Sequence, residues 1–179
     1  MIKDILVYNE SFVRENPDTS TVYQKMPKKK LAILACMDVR LTELLPKALG
    51  IKDGDATIIK NAGAMILDDF DSSVRSLLLS VLMFGAEEIM VIAHTDCGVE
   101  SISPQKITNK LEKCRIEPKT IESLKKKGLD FEQWFSCFSS PERSVQSSVA
   151  LLKNHPFMPK DICICGFVMD ITTGRLTPV

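Results

Sequence analysis

Two short motifs in this 179-residue chain carry side chains that can do metal chemistry: Cys36-Met-Asp38-Val-Arg40 and His94-Thr-Asp-Cys97. Thiolate and imidazole suit a borderline-soft ion, so Cys36, His94 and Cys97 make a zinc set. A His and a Cys three apart on a turn can face one metal. Three protein ligands leave the fourth tetrahedral position open, which marks a catalytic rather than a structural site. Asp38 and Arg40, two apart, are expected on the same side of an extended segment. The guanidinium keeps the carboxylate ionised and turns an oxygen toward the open position. Each piece alone has a plainer reading. H-x-x-C is a weak signal, a lone cysteine at a strand end is usually just buried, and a local Asp–Arg pair is commonly a surface salt bridge worth under about 1 kcal/mol. The coincidence of the pieces raises their weight, as does the fact that one of only two histidines falls at this spot.

These residues need elements that bring them together. Leu31–Cys36 and Ala56–Lys60 are short, continuous apolar runs of the kind a doubly covered strand requires. The second opens at the turn signal Asp53-Gly54 and closes at Asn61-Ala-Gly63. Glu88–Ala93 is a third strand and Asp161–Cys165 a fourth, with Phe167–Ile171 as a further edge strand before a turn at Thr173-Gly174. Between them the spacing predicts a helix capped by Asp71, with Val74, Leu77, Leu78, Val81 and Leu82 as its apolar stripe and Gly85 at its end. A second helix is capped by Ser140, with Pro141 at its first position and Val145, Val149 and Leu152 facing inward. Residues 1–16 read as a loosely amphipathic helix, with Ile2, Ile5, Leu6, Phe12 and Val13 to one side, interrupted by Pro17 and the polar stretch to Lys30. Residues 102–139 read as short helices and loops. Strands alternating with helices imply an α/β fold, a single domain with a mostly parallel central sheet flanked by helices. Ligands of such sheets collect beyond the carboxyl ends of the strands. The motifs stand at three of those ends and meet if the strands are neighbours.

Composition narrows the function. Lys+Arg and Asp+Glu are both 23, giving zero net charge, which argues against a nucleic-acid partner. Lys28–Lys30 and Lys125–Lys127 are too short to change that. No apolar stretch approaches the roughly 20 residues of a membrane span. Residues 1–10 carry acids and lack a signal-peptide core, so the expected location is cytoplasmic. In that compartment six cysteines are poor evidence for a disulfide framework.

Taken together, C-x-D-x-R at Cys36–Arg40 and H-x-x-C at His94–Cys97 resemble the β-class carbonic anhydrases. The resemblance extends through Gly54-Asp55, Asn61-Ala-Gly63, the helix around Val74–Leu82, and Gly166 through Asp170, Thr173 and Gly174. It covers most of residues 31–100 and 141–176, and the short chain is similar to compact members of the class. The resemblance implies one zinc ion per chain, held by Cys36, His94 and Cys97, with Asp38 and Arg40 as a dyad at its open position. It implies reversible hydration of carbon dioxide to bicarbonate and a proton, by a zinc-bound hydroxide that the dyad orients. It also implies a homodimer, or a higher oligomer, in which a helical arm within residues 1–30 wraps the partner while residues 31–179 form the catalytic domain. Residues 1–16 packing on their own domain fits the pattern equally. Lys60 and Ile33 stand where a bicarbonate-regulated subgroup has Arg and Trp, so that regulation is not expected. In some relatives the dyad aspartate closes the site as a fourth ligand, which Asp38 would do only at low pH.

Two other functions share these residues. One is hydrolysis of carbonyl sulfide or carbon disulfide on the same scaffold; the other is a non-catalytic zinc or redox-sensing domain. The remaining features read plainly. His155 is expected to be an exposed helix-end residue, Cys163 and Cys165 core residues on one face of a buried strand, and Cys114 and Cys137 free thiols. Asp68-Asp69-Phe-Asp71 is a helix start rather than a calcium loop.

Overall fold

A run such as Leu31–Cys36, apolar without alternation, is stable as a strand only where both faces are covered. The computed structural model describes residues 1–16 and 25–179. After helix α1 (Ile2–Glu15), the chain forms strands β1 (Leu31–Cys36), β2 (Ala56–Asn61), β3 (Glu88–His94), β4 (Cys163–Met169) and β5 (Leu176–Pro178). They lie in the order β2-β1-β3-β4-β5, the first four parallel and β5 antiparallel to β4. All six residues of β1 are buried. The mostly parallel α/β architecture is the one expected. Residues 17–24, within the predicted arm and its Pro17 interruption, lie outside the described residues.

Helices cover the two faces unequally. On one face, α3 (Ser72–Leu82) and α7 (Pro141–Asn154) pack Val74, Leu77, Val81, Val145 and Leu152 against Ala32, Leu34, Ile89, Val91 and Ile164. Both caps are as predicted. Asp71 accepts from the Ser73 N–H, and Ser140 accepts from the Arg143 N–H behind Pro141. Leu82 departs from its predicted stripe: at the end of α3 it is exposed. On the other face, α2 (Leu41–Leu49) lays Leu41 and Leu45 on Ile33, Ala35, Ile92 and Met169. Residues 102–139 form the short helices α4 (Pro104–Lys113), α5 (Pro118–Lys126) and α6 (Phe131–Trp134).

Three sequence expectations are corrected here. The fourth strand starts at Cys163 and runs on to Met169, absorbing Phe167–Met169, and the edge strand forms after the turn, at Leu176–Pro178. Gly166 sits inside this strand because a Cβ there would strike Val145 and come within 3.2 Å of Val149, so the glycine sets how closely α7 can approach. Cys163 and Cys165 are exposed rather than core, because the α2 cluster reaches β4 only toward its carboxyl end, at Phe167 and Met169. His155 is 6% exposed rather than a surface residue. It caps α7, and its Nδ1 accepts the Phe157 N–H.

Candidate metal centre

Sheet order decides the site. β1 lies between β2 and β3, so the carboxyl ends carrying Cys36, Asn61 and His94 are adjacent, with Cys36 registered against Asn61. Cys97 follows three residues beyond His94, past Asp96, which takes the left-handed conformation (φ 54°). The left-handed region is one that a short polar side chain visits more readily than most.

The Sγ atoms of Cys36 and Cys97 are 3.8 Å apart, and with a His94 nitrogen they form a group whose ligand atoms all lie within 4.8 Å of one another. All three residues are buried. His94 Nδ1 lies 2.9 Å from the Thr95 carbonyl oxygen and donates to it. That bond fixes the tautomer and leaves the Nε2 lone pair free. Nε2 is buried and has no hydrogen-bond partner. Buried polar atoms are rarely left so. An orphaned imidazole nitrogen beside two converging thiols is what a zinc ion would complete, so the donor set fits the metal.

Of the three groups, only Cys36 is shifted toward its metal-ligating form. Burial raises Cys36, but the His94 ring, the backbone N–H groups of Asp38 and Gly63 and the Cys97 thiol together bring it down to about 7. Gly63 can present its N–H there because it turns at φ 80° inside the short 62–64 turn. Burial and the neighbouring Cys36 push Cys97 up to about 11, the Val99 N–H opposing them. Burial lowers His94, but the Cys36 sulfur and the charge on it close by outweigh that, and its pKa is raised.

Asp38 and Arg40 meet, though not along an extended segment. Asp38 Oδ1 accepts the Arg40 N–H at 2.9 Å, an Asx turn that tips the chain into α2, with Arg40 already helical at φ −64°. From there Arg40 Nε donates to Oδ1 (3.0 Å) and Nη2 to Oδ2 (2.8 Å), a bidentate fork. These bonds hold the Asp38 carboxyl well below the usual carboxylate range. Oδ2 also lies 3.8 Å from His94 Nε2, so the acid reaches the edge of the thiol–imidazole cluster.

The sequence reading gave Asp96 no role. Its Oδ2 accepts from Arg40 Nη1 and its backbone oxygen from Nη2, both at 2.8 Å, so the guanidinium is gripped from two sides. A clue was its place beside Cys97, in the same motif as two of the proposed ligands. Beside the cluster, Met37, Val39, Val99 and Ile102 wall a cavity of about 330 Å³ that Cys36, Asp38 and Cys97 also line. A second cavity of about 370 Å³ shares Met37, Val99 and Ile102 with it and extends to Trp134 and Phe135. Ile33 is fully buried in β1, and Lys60 is exposed on β2.

The sequence profile of the carbonic anhydrase family matches residues 31–176. Among known proteins, the chain is 42% identical over 176 residues to a Bacillus subtilis (strain 168) protein provisionally named carbonic anhydrase YtiB, covering 98% of this chain and 94% of that one. It is 35% identical over 161 residues to a carbon disulfide hydrolase of Saccharolobus solfataricus, covering 83% of this chain and 76% of that protein. Among solved structures, the β-carbonic anhydrase isoform I of the protozoan Trichomonas vaginalis superposes with a TM-score of 0.90 at 33% identity, covering 99% of this chain and 96% of that one.

Proposed function

Because the chain belongs to the β-carbonic anhydrase family, we propose that it is a zinc enzyme that interconverts carbon dioxide and bicarbonate, with Cys36, His94 and Cys97 as ligands and Asp38 with Arg40 as the catalytic pair. The observation that carries this reading is the ionised Asp38 carboxylate at the edge of the thiol–imidazole cluster, 3.8 Å from an unpartnered His94 Nε2. Zinc held there supplies a Lewis acid that lowers the pKa of water toward about 7.

The chain's own residues supply the rest. Asp38 cannot donate a proton while Arg40 holds it ionised, so it acts as an acceptor. It takes a hydrogen bond from the attacking oxygen and leaves that oxygen's lone pair directed at the substrate carbon. Met37, Val39, Val99 and Ile102 give a small uncharged gas an apolar place beside the acid and favour it over water. Bicarbonate is charged and gains little from such walls, which favours its departure. A homodimer is part of the proposal, with α1 lying on the partner, and so is a cytoplasmic location. Among the described residues no helix is long and apolar enough to cross a membrane.

The test is stopped-flow hydration of carbon dioxide by zinc-loaded protein near pH 8.5. A rate well above buffer is expected, lost in Asp38→Ala with zinc retained. A wild-type rate no better than buffer sinks the reading. Relatives named carbon disulfide hydrolase, at 32% to 35% identity, favour a second reading on the same site. Faster hydrogen sulfide release from carbonyl sulfide or carbon disulfide than hydration of carbon dioxide would establish that one instead.

A further inference from the structure

A second pair of thiols lies outside this centre. Cys163 and Cys165 occupy alternate positions of β4, so their side chains emerge on one face, and both are exposed. Their Sγ atoms are 3.7 Å apart, nearly the 3.8 Å that separates Cys36 from Cys97. Two sulfurs each about 2.3 Å from one tetrahedral ion are separated by about 3.8 Å, so each pair spans two corners of a coordination polyhedron. A disulfide suits the β4 pair less well. Residues two apart on a strand have Cα atoms about 6.6 Å apart, close to the roughly 6.8 Å limit for that bond.

The sheet register places further donors on the same face. Met90 of β3 is the partner of Cys165, and Glu88 is the partner of Cys163. Partners in register point to the same side, a few ångströms apart. Met90 therefore stands on the face that carries the two thiols, in register with Cys165. No imidazole joins them: His94 belongs to the centre already described, and His155 is buried at the end of α7. Among the described residues, Cys36, His94 and Cys97 are the only group in which three His, Cys, Asp or Glu donors converge. Glu88 therefore does not converge with the two thiols, and two thiols with Met90 on their face are an all-sulfur set that falls short of the four ligands zinc takes in structural sites. Soft thiolate and thioether donors suit cuprous ion.

We propose that Cys163 and Cys165, with Met90 beside them, form a surface site for a thiophilic monovalent ion of low coordination number, of the cuprous class. Binding converts two thiols and one monovalent cation into a bis-thiolate complex of net charge −1 and releases two protons. No electron is transferred, so no oxidant or reductant is needed. The site is independent of the carbonic anhydrase reading and stands or falls apart from it.

The test uses zinc-loaded protein and cuprous ion held by a chromophoric chelator under anaerobic conditions. Wild type is expected to withdraw one equivalent of copper from the chelator, with zinc content unchanged and only sulfur neighbours at the copper absorption edge. The double variant C163S/C165S is expected to keep its zinc and its fold and to withdraw none. The single variant C165S, a milder change, is expected to lose the tight equivalent as well. Met90→Leu is expected to weaken binding about tenfold. The proposal is overturned if wild type withdraws no copper, if the double variant withdraws as much as wild type, or if copper enters only as zinc leaves.

Discussion

Arg40 directs four hydrogen bonds at two aspartates: Nε and Nη2 to the Asp38 carboxylate, Nη1 to the Asp96 carboxylate and Nη2 to the Asp96 backbone oxygen. Lysine has no planar fork, so Arg40→Lys should break the pairing although the charge survives. Asp96→Asn is the subtler change. It keeps a residue at ease at positive φ and the backbone contact, but removes the carboxylate that steadies Nη1. Asp96 is 80% exposed, so stability should change by less than about 1 kcal/mol. We expect kcat/KM for carbon dioxide hydration to fall roughly three- to tenfold in Asp96→Asn, and by at least about a hundredfold in Asp38→Ala, both with full zinc occupancy. Equal losses in the two would show that Asp96 does more than steady the arginine. Protons at the ligands yield a second prediction. Metal binding needs both thiolates and a neutral imidazole. Without metal, Cys97 holds its proton up to about 11 and Cys36 up to about 7, and His94 is raised. Zinc affinity should therefore rise with pH above 7, about tenfold per unit where the Cys97 proton is the only one left to displace. The dependence should be steeper at lower pH, where Cys36 and the raised His94 imidazole hold protons too. Calorimetry in buffers of different ionisation enthalpy counts those protons, and a flat profile above pH 7 would show that Cys97 is already a thiolate.

At the level of elements, what could be read in the sequence followed from how unambiguous each local signal was. β1 is a six-residue apolar run between a lysine cluster and an aspartate, and its bounds were legible to the residue. The caps of α3 and α7 were legible because Asp71 and Ser140 precede clear stripes. The helix α2 was not read. Pro46 stands inside it, removing a donor, and the chain enters it straight from the Asp38–Arg40 turn. Its signal was the Leu41, Leu44, Leu45, Leu49 spacing ending at Gly50, which adopts φ 63° at the cap. The exposure of Cys163 and Cys165 was illegible for another reason: Cys-Ile-Cys reads the same whether or not a helix covers that part of the sheet. The candidate ligands stood out by motif, but strand–helix alternation implies a parallel sheet and not its order, so their meeting rested on β1 lying between β2 and β3. Gly166 is where an element contact can be tested. Gly166→Ala forces a methyl into Val145 and Val149 of α7, and overpacking of this kind costs about 1–3 kcal/mol. Denaturant melts should show that loss, and Val145→Ala in the same chain should restore part of it by making room. No recovery would mean that strain in β4 rather than the α7 contact sets the cost.

On the scale of the whole molecule, the proposed ligands and acid pair come from residues 36–97 of one chain, whereas α1 buries nothing against the described residues of that chain. None of its 14 residues is buried. Ile2, Ile5, Leu6, Val7, Tyr8, Phe12 and Val13 are each at least 44% exposed. An isolated helix of that length is marginal in water even with good propensity. An apolar surface of this size also marks an interaction face. The second copy proposed as its partner accounts for both, since burial on the neighbour supplies the stabilisation that the helix lacks at home. Ile5→Asp with Phe12→Asp places two charges on that face and changes no residue of the metal centre. The expected result is a shift from dimer to monomer by light scattering and a loss of far-ultraviolet helical signal equivalent to the 14 residues of α1. Zinc stoichiometry should hold at one per chain, because every ligand is intramolecular. The activity of that monomer then separates two ways of building the enzyme. If kcat/KM survives, the cavities walled by Met37, Val99 and Ile102 suffice for the gas. If it collapses with zinc retained, the partner completes those walls, and α1 serves catalysis by holding the partner in place. A wild-type protein that is already monomeric, with α1 still helical, would remove the dimer from the proposal and leave the metal centre untouched.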